Sequence, residues 1–582
     1  MYKILDEIYK QRNDYCIIGL TGKTGSGCTK AAYFLSSNKE ILHMPTISID
    51  DDSDDNRRKK HIILKYYQEN WHQFMPITVR DVITTFVIGH TLDELKLFFA
   101  TNAKLKAELE KISVEYDEYR VRNLEFERIL ESKAYSDEQN AEKIYKYIIE
   151  DLPNFSKKIK EIMGSDNYRV YSKSFQLFGD NIRSTGKALG GVSDVKHIFV
   201  IAERINQIIK ALKKYNDFKG LTSYFVIDAF RNPFEVLFFR ERYSAFYLIA
   251  IKSPEEDRNE RLIRLVGLDH KEIEELDKKE NPKGSIINDK KMFVSQNISA
   301  CIQKADIHIN NIGKSENKNF NELKGKLITY VCLIQHPGLI TPQRNEKLMQ
   351  IAYTAKVNSG CISRQVGAVV TNREGSIVSI GWNDSPKGQT QCLLRNMNHV
   401  VKKIDKNSYS DYEKTSEEFE VIINGRLNSI LDKTCLKGKN LSFCFKDVHN
   451  EVKQKDNQVH TRALHAEENA FLQIVKHGGQ GVNGGVLFST ASPCELCSKK
   501  AYQLGIAKIV YIEPYPGIAV SHVINSGIAS PEMELFSGAI GPAYHKLYEP
   551  FLPYKDELSV FFSTEESTEF EPPLETEDFL IA

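Results

Sequence analysis

No apolar run in the 582-residue chain is long enough to cross a bilayer, which excludes a simple transmembrane helix. The opening MYKILDEIYKQRNDY lacks what a secretory signal needs. Acidic residues interrupt it, and no apolar core leads to a small-residue cleavage site. There is no excess of charge of either sign: Lys plus Arg and Asp plus Glu each number 78. That balance removes any general electrostatic reason to expect a nucleic-acid or membrane partner. Ten cysteines in a long chain without a secretion signal do not suggest a disulfide framework; they read as thiols and metal ligands. These absences predict a cytoplasmic protein. Its composition, 41% hydrophobic and 27% charged, is ordinary for a globular chain. The length exceeds what one core accommodates, so two or more domains are expected.

In the N-terminal half, CIIGLTGKTGSGCTKAAYFL, Cys16 to Leu35, passes from an apolar run through a glycine-rich turn into a helix former. This is the strand–loop–helix context of a phosphate-binding loop. Gly22, Gly25 and Gly27 let backbone N–H groups converge on an anion at a helix N-terminus. The pattern G-x-x-x-x-G-K-[ST] fits Gly22 through Thr29, with Ser26 inside it, but Cys28 stands where the lysine belongs. Lys23 is the alternative source of charge, and Thr29 the hydroxyl on the side of a magnesium ion. A purely structural turn is the competing reading. Asp228 ends a second apolar run, in TSYFVIDAFRNPFE, where an acid that holds Mg²⁺ or its water is placed in nucleotide-binding proteins.

Arg231 follows at once, and Arg258, Arg261 and Arg264 share one helical face. That face is either a lid over phosphates or a solvated basic helix. Residues 91–163 read as a helical insertion, with Leu105, Leu109 and Ile112 at helical intervals. Asp51–Lys60 reads as a solvated loop, with a regulatory anion site as the alternative, and Phe178–Gly186 as a turn carrying Arg183 into a surface ion pair or toward a ligand. The expected domain, 1–318, closes with a strand at Ala305–Asn311, and Gly313–Asn321 is polar enough to be the linker.

From Leu323 the pattern changes. GAVVTNREGSIVSIGWN reads as a β-hairpin turning near Asn372–Gly375. HAEENAFLQIVK is then a helix, GGVLFSTASP a strand, CELCSKKAYQLG a helix and KIVYIEP a strand. A hairpin followed by alternating helices and strands predicts an α/β sandwich with a mixed sheet over 323–560. Cys494 and Cys497, three apart on a helix starting at Pro493, place both sulfurs on one face. His465 completes a three-ligand zinc set with a fourth position left for water. Glu467 is the proton shuttle rather than a ligand. H-x-E with P-C-x-x-C is the signature of zinc nucleobase and nucleotide deaminases.

His465 to Cys497, with SRQVGAVV and GWNDSPKG, resembles the deoxycytidylate deaminase branch of the cytidine deaminase superfamily. Its coupling to a P-loop half, itself similar to small nucleotide kinases around IDAFRNPFE, resembles the two-domain bacterial anti-phage deoxycytidine nucleotide deaminases. The resemblance implies a P-loop-like parallel-sheet domain followed by a cytidine deaminase-like α/β/α sandwich. It implies Zn²⁺, a free dCTP or dCMP substrate, depletion of nucleotides during infection, and oligomers. It also makes Asn383 a contact to sugar or base, Arg364 a contact to phosphate, and Tyr515 a pocket wall. The P-loop half is expected to be regulatory, sensing a nucleotide effector with Mg²⁺, and an RNA or protein inhibitor would restrain the enzyme. A nucleic-acid-editing deaminase and a bifunctional kinase–deaminase are the alternatives; the absent loop lysine weakens the second.

Residues 393–458 form an insertion longer than ordinary connections. Cys392, Cys435, Cys444 and His449 offer a second, structural metal set, against unrelated buried thiols. Residues 562–582 read as an acidic, mobile tail.

Overall fold

The computed structural model describes residues 2–44, 54–99, 102–164, 168–281, 291–312, 316–430, 433–455, 459–478, 481–514 and 517–562. The chain divides into two compact units, 1–305 with 311–341 and 545–582, and 306–310 with 342–544.

In the first unit, β1 (Tyr15–Thr21), β2 (Met75–Thr78), β3 (Ser223–Asp228) and β4 (Phe246–Lys252) are all parallel. β1 lies between β3 and β4, and β2 flanks β3. Strands covered on both faces read as unbroken apolar runs, and every residue of β3 and β4 is buried. The helices of 91–163 bury Leu105, Leu109 and Ile112 in the same core as β3's Phe225 and Ile227.

Several expectations are corrected here. Phe178–Gly186 is not a turn: the helix Tyr168–Thr185 runs through it, because Phe175, Phe178 and Ile182 recur at helical spacing and are buried. Arg183 is therefore inside, its Nε 2.8 Å from Glu235, in a buried ion pair rather than a surface one. Of the Asp51–Lys60 run, 51–53 lie outside the described residues. The remainder enters the helix Asp55–Asn70, whose first turn is capped by the Asp54 carboxylate accepting from the Arg57 N–H at 2.7 Å. Most of the supposed linker is the start of the helix Glu316–Gln335, which packs on Asp55–Asn70 and buries Leu327, Ile328 and Val331.

The main stretch of the second unit thus runs from Pro342 rather than from 323, and residues after Tyr544 return to the first. Glu557 shows what ties them there: it accepts from Tyr9 at 3.2 Å and lies 2.7 Å from His336 Nε2. Residues 563–582, the supposed tail, lie outside the described residues. No helix among the described residues is long and apolar enough to cross a membrane.

The strand expected at Ala305–Asn311 is present as β5 (Ile307–Asn310); it falls in the second unit, where it pairs antiparallel with β11 (Gly538–Ala539). The main sheet comprises β6 (Gly367–Thr371), β7 (Ile377–Trp382), β8 (Val486–Ala491), β9 (Lys508–Glu513) and β10 (Glu532–Leu535). Its order is β10-β9-β8-β6-β7. β6 is antiparallel to β7 and β8, while β8, β9 and β10 run parallel, so the sheet is mixed. Alternate β6 residues explain the layers. Val369 packs with Leu348, Met349 and Ala352 of the helix Arg344–Ala355. Ala368 and Val370 pack with Ala466 and Ala470 of the helix Ala466–His477 and with Ala501 of Glu495–Gln503.

The insertion has its own small core of Met397, Tyr409, Phe419, Ile423, Phe443 and Val448. Within it Arg395 and Glu413 form an ion pair with both side chains at 0% exposure. The guanidinium lies 5.0 Å from the Tyr409 ring centroid and 4.5 Å from that of Phe443.

Candidate active site

The site stands where two helices begin on one face of the mixed sheet. Leu464 bridges to Asp384, its N–H donating to the Asp384 carbonyl at 2.8 Å, and this delivers the chain to His465. His465 is the residue before the helix Ala466–His477, and Cys494 the residue before the helix Glu495–Gln503. The second helix therefore starts after Cys494 rather than at Pro493; Cys497 lies in its first turn.

The first helix lies directly on β7. Asn469 donates to the Trp382 carbonyl at 2.9 Å, and Ser379 to the Ala470 carbonyl at 2.8 Å. Gly381 permits this approach, since a Cβ there would strike the Ala466 carbonyl and lie 2.5 Å from the Ala470 nitrogen. Gly381→Ala is expected to cost about 1–3 kcal/mol by forcing backbone apart. Thermal unfolding of the intact chain checks it: an unchanged midpoint would show that the helix can lift off β7 freely.

His465, Cys494 and Cys497 bring their ligand atoms within 4.8 Å of one another. His465 Nδ1 lies 3.3 Å from Cys494 Sγ and 3.5 Å from Cys497 Sγ. A tetrahedral zinc with N near 2.0–2.1 Å and S near 2.3 Å separates the two donors by about 3.5 Å, so the set fits zinc. The thiols share a proton unequally. The hydrogen bond from Cys497, with His465 beside it, pushes Cys494 down to about 4. The same bond, together with burial, raises Cys497. His465 is raised by its hydrogen bond with Cys494.

Glu467 is buried, and burial raises its pKa. Ser489 of β8 donates to its Oε1 at 3.0 Å. Glu468 turns the other way: it pairs with Lys500 of the second helix and accepts from the His465 N–H at 3.4 Å. Despite partial burial, the Lys500 hydrogen bond holds Glu468 below its ordinary range. Ser489, Glu468 and Lys500 escaped the sequence reading. Only Lys500 carried a signal, a cation one helical turn beyond Cys497.

The other predicted residues divide. Asn383 is buried, with its amide committed to the backbone: it accepts from the Val366 N–H and donates to the Arg364 carbonyl, both at 2.7 Å. Arg364 pairs with Glu513 at the end of β9. Tyr515 lies outside the described residues. The supposed second metal set is not assembled. Cys392 is buried, Cys435 is exposed, and Cys444 precedes the helix Phe445–Lys453, on which the His449 ring stacks against Phe445 at 5.6 Å. Among the described residues, His465, Cys494 and Cys497 are the only such metal-ligating group.

In the first unit, Gly22–Gly27 joins β1 to the helix Cys28–Leu35. Gly25 and Gly27 have φ of 86° and 112°, which only glycine adopts without strain. Thr29 donates to Asp228 at 2.9 Å across the loop. Burial raises Asp228, and burial with Asp228 nearby pushes Cys28 up to about 12, so this thiol supplies no charge. Lys23 turns to acids instead, 3.3 Å from Glu255 and 3.6 Å from Asp277. The arginine face also divides. Arg258 is buried against Asp277 and donates to the Thr24 carbonyl at 2.7 Å, Arg261 reaches the Ser26 carbonyl at 3.5 Å, and Arg264 is exposed.

A His/Cys/Cys set gathered at two helix starts beside a buried carboxylate matches the donor pattern of the zinc deaminase class. Residues 342–513 match the family model for the cytidine and deoxycytidylate deaminase zinc-binding region. The deoxycytidylate deaminase of Enterobacteria phage T2 is 30% identical over 177 residues, 29% of this chain and 79% of that protein. That of phage T4 is likewise 30% identical, over 77% of its length. The Schizosaccharomyces pombe deoxycytidylate deaminase is 25% identical over 31% of this chain and 40% of its own. A solved dCMP deaminase from cyanophage S-TIM5 is 23% identical, covering 34% of this chain and 99% of that one, with a TM-score of 0.21. The chain belongs to the cytidine and deoxycytidylate deaminase family.

Proposed function

We propose that this chain hydrolyses the exocyclic amine of free deoxycytidine nucleotides, converting dCMP, dCTP or both to the deoxyuridine nucleotide and ammonia. The observation that carries the reading is the buried Glu467 beside His465, Cys494 and Cys497. The phage T2 and T4 relatives, named deoxycytidylate deaminases, support the substrate class.

Zinc bound by these three residues would supply the Lewis acidity that makes water a nucleophile at neutral pH. His465, Cys494 and Cys497 hold that position, and the two helix starts fix its orientation. Glu467 takes the proton from water and carries it to the ring nitrogen beside the amino-bearing carbon. A second transfer to the amine lets ammonia leave as the carbon–nitrogen bond breaks and the carbonyl forms. A carboxylate raised by burial suits both directions of transfer. Ser489, at Oε1, keeps the group aimed. The shared Glu468–Lys500 pair holds the two ligand helices together.

The glycine-rich loop, with Thr29 and Asp228 across it, is proposed as a nucleotide-sensing site for Mg²⁺ and a nucleoside polyphosphate. The uncharged Cys28 favours sensing over phosphoryl transfer. Depletion of deoxycytidine nucleotides during phage infection is the proposed role. The deciding experiment is a product assay across dCMP, dCTP, deoxycytidine and a cytosine-containing oligonucleotide, with and without Mg–ATP. Uracil formed only in the oligonucleotide would replace this reading with an editing enzyme.

A further inference from the structure

A cavity of about 540 Å³ in the first unit lies at the other end of the parallel strands from the glycine-rich loop. Tyr15, the first residue of β1, and Ala245, just before β4, line it, whereas the loop follows the last residue of β1. Open parallel sheets take their usual ligands at the carboxyl ends of the strands, so this cavity lies outside that crevice. Its volume falls within the range of small-molecule sites.

The charge around it has one sign. Arg12, Lys210, Lys213 and Lys546 line it, and none of the described residues lining it is acidic. These cations arrive from three helices far apart in the chain, Tyr2–Asn13, Val200–Lys219 and Pro542–Tyr548. Arg12 Nη1 donates to the Tyr247 hydroxyl at 2.8 Å and to the Lys546 carbonyl at 3.3 Å. Lys546 in turn donates to the Ser244 carbonyl at 2.8 Å. These contacts fix both cations in place and neutralise neither. Lys210 stands one helical turn before Lys213, on the same face. Lys213 meets Asp217 at 2.8 Å, but that acid also faces Lys214 at 3.9 Å. The Lys213 and Asp217 side chains are 47% and 42% exposed, so solvent screens the pair.

The aromatic walls supply no counter-charge. Tyr15 and Tyr243 line the cavity with ring centroids 6.1 Å apart, and burial raises the pKa of each. The Tyr243 hydroxyl donates to Asn206 at 2.6 Å. Neutral walls of low dielectric beside clustered cations concentrate positive potential in the space between them. Cations converging from three helices on one bounded volume suit a compact ligand with several negative charges. A nucleic-acid strand is met instead by a groove of cations that follows its backbone. A single phosphate would leave most of these cations without a partner.

We propose that this cavity binds a chain of two or more phosphoryl groups, free or carried on a small molecule, with Arg12, Lys210 and Lys213 as its charged contacts. The site is separate from the deaminase reaction and from the glycine-rich loop, and it depends on neither reading.

Calorimetric titration of the intact chain with inorganic orthophosphate, diphosphate and tripolyphosphate tests it. Affinity should rise along that series and fall with added salt. The double variant Lys210→Gln, Lys213→Gln should weaken tripolyphosphate about tenfold or more, the effect of losing charge-assisted hydrogen bonds. Both lysines are exposed, so its melting midpoint should match wild type. The zinc ligands are intact in wild type and variant, so any effect of the phosphate chain on that metal cancels in the comparison. Thr29→Ala should leave the lysine-dependent binding unchanged. ATP, titrated beside tripolyphosphate, distinguishes the two sources. Equal lysine-dependent affinity means that the phosphate chain alone is recognised, and a tighter ATP means that a nucleotide carries it. Absence of lysine-dependent binding by both overturns the proposal. So does lysine-dependent binding of a single-stranded oligonucleotide that tripolyphosphate does not displace.

Discussion

Glu467→Ala is expected to lower turnover of deoxycytidine nucleotide by about 10²- to 10⁴-fold, the range for loss of a positioned general acid–base. Zinc should stay bound at wild-type stoichiometry, because Glu467 is outside the group formed by His465, Cys494 and Cys497. The carboxylate is buried and meets the Ser489 hydroxyl at 3.0 Å, so truncation removes one hydrogen bond and leaves a small cavity. Glu467 lies in the first turn of the helix that follows His465, but the hydrogen bond lost is to Ser489 and not to a ligand residue. Glu467→Gln preserves the shape and the contact with Ser489 but cannot shuttle protons, and should lose nearly as much. Metal analysis and product formation on the same preparations decide it. Loss of zinc from either variant would make Glu467 a structural support for the metal, and the proton-shuttle role would fall.

Cys497→Ala has the opposite signature: metal and activity are lost together. Cys497 is buried in the first turn of its helix, 3.5 Å from His465 Nδ1, so no solvent group can stand in for its sulfur with equal geometry. Loss of a supporting partner around a metal typically weakens affinity about 10- to 100-fold, and loss of a ligand should exceed that. Zinc per chain should fall from about one to near zero after dialysis against a mild chelator. The melting midpoint should also fall, since metal binding contributes to folding free energy. Retention of zinc and turnover by Cys497→Ala would mean that another residue completes the set. The sequence and fold identify no such residue among those described.

The contrast between these variants depends on features of unequal legibility. The two ligand helices announce themselves locally: H-x-E and C-x-x-C put donors at helix starts, where a few residues set the direction of each side chain. The mixed sheet was legible in the same way, from a hairpin followed by alternating helices and strands. Ser489 was not, because it meets Glu467 across 22 residues and looks like any small residue of a buried strand. Asn383 carried a family expectation, yet its amide is used to brace the loop ahead of β6. Short β10, led by Pro531, offered too little alternation to be seen.

Longer-range errors have a common cause. Polar segments were read as surface, whereas tertiary contacts had a use for them. Arg183 became a buried partner of Glu235, and the supposed linker from Glu316 onward became the start of a helix whose apolar face the first unit buries. Composition cannot reveal a partner distant in sequence, and a buried ion pair looks in the text like two surface charges.

What is readable locally is the set of donor types, His465, Cys494 and Cys497, because their spacings are set at the starts of two helices. The sequence by itself also determined that a glycine-rich loop stands after a buried strand. Tertiary structure alone decided where the units divide, what Glu467 leans on, and that Arg12, Lys210 and Lys546 share one cavity. Those residues come from three separate segments, and only packing of the helices around the parallel strands brings them to one wall.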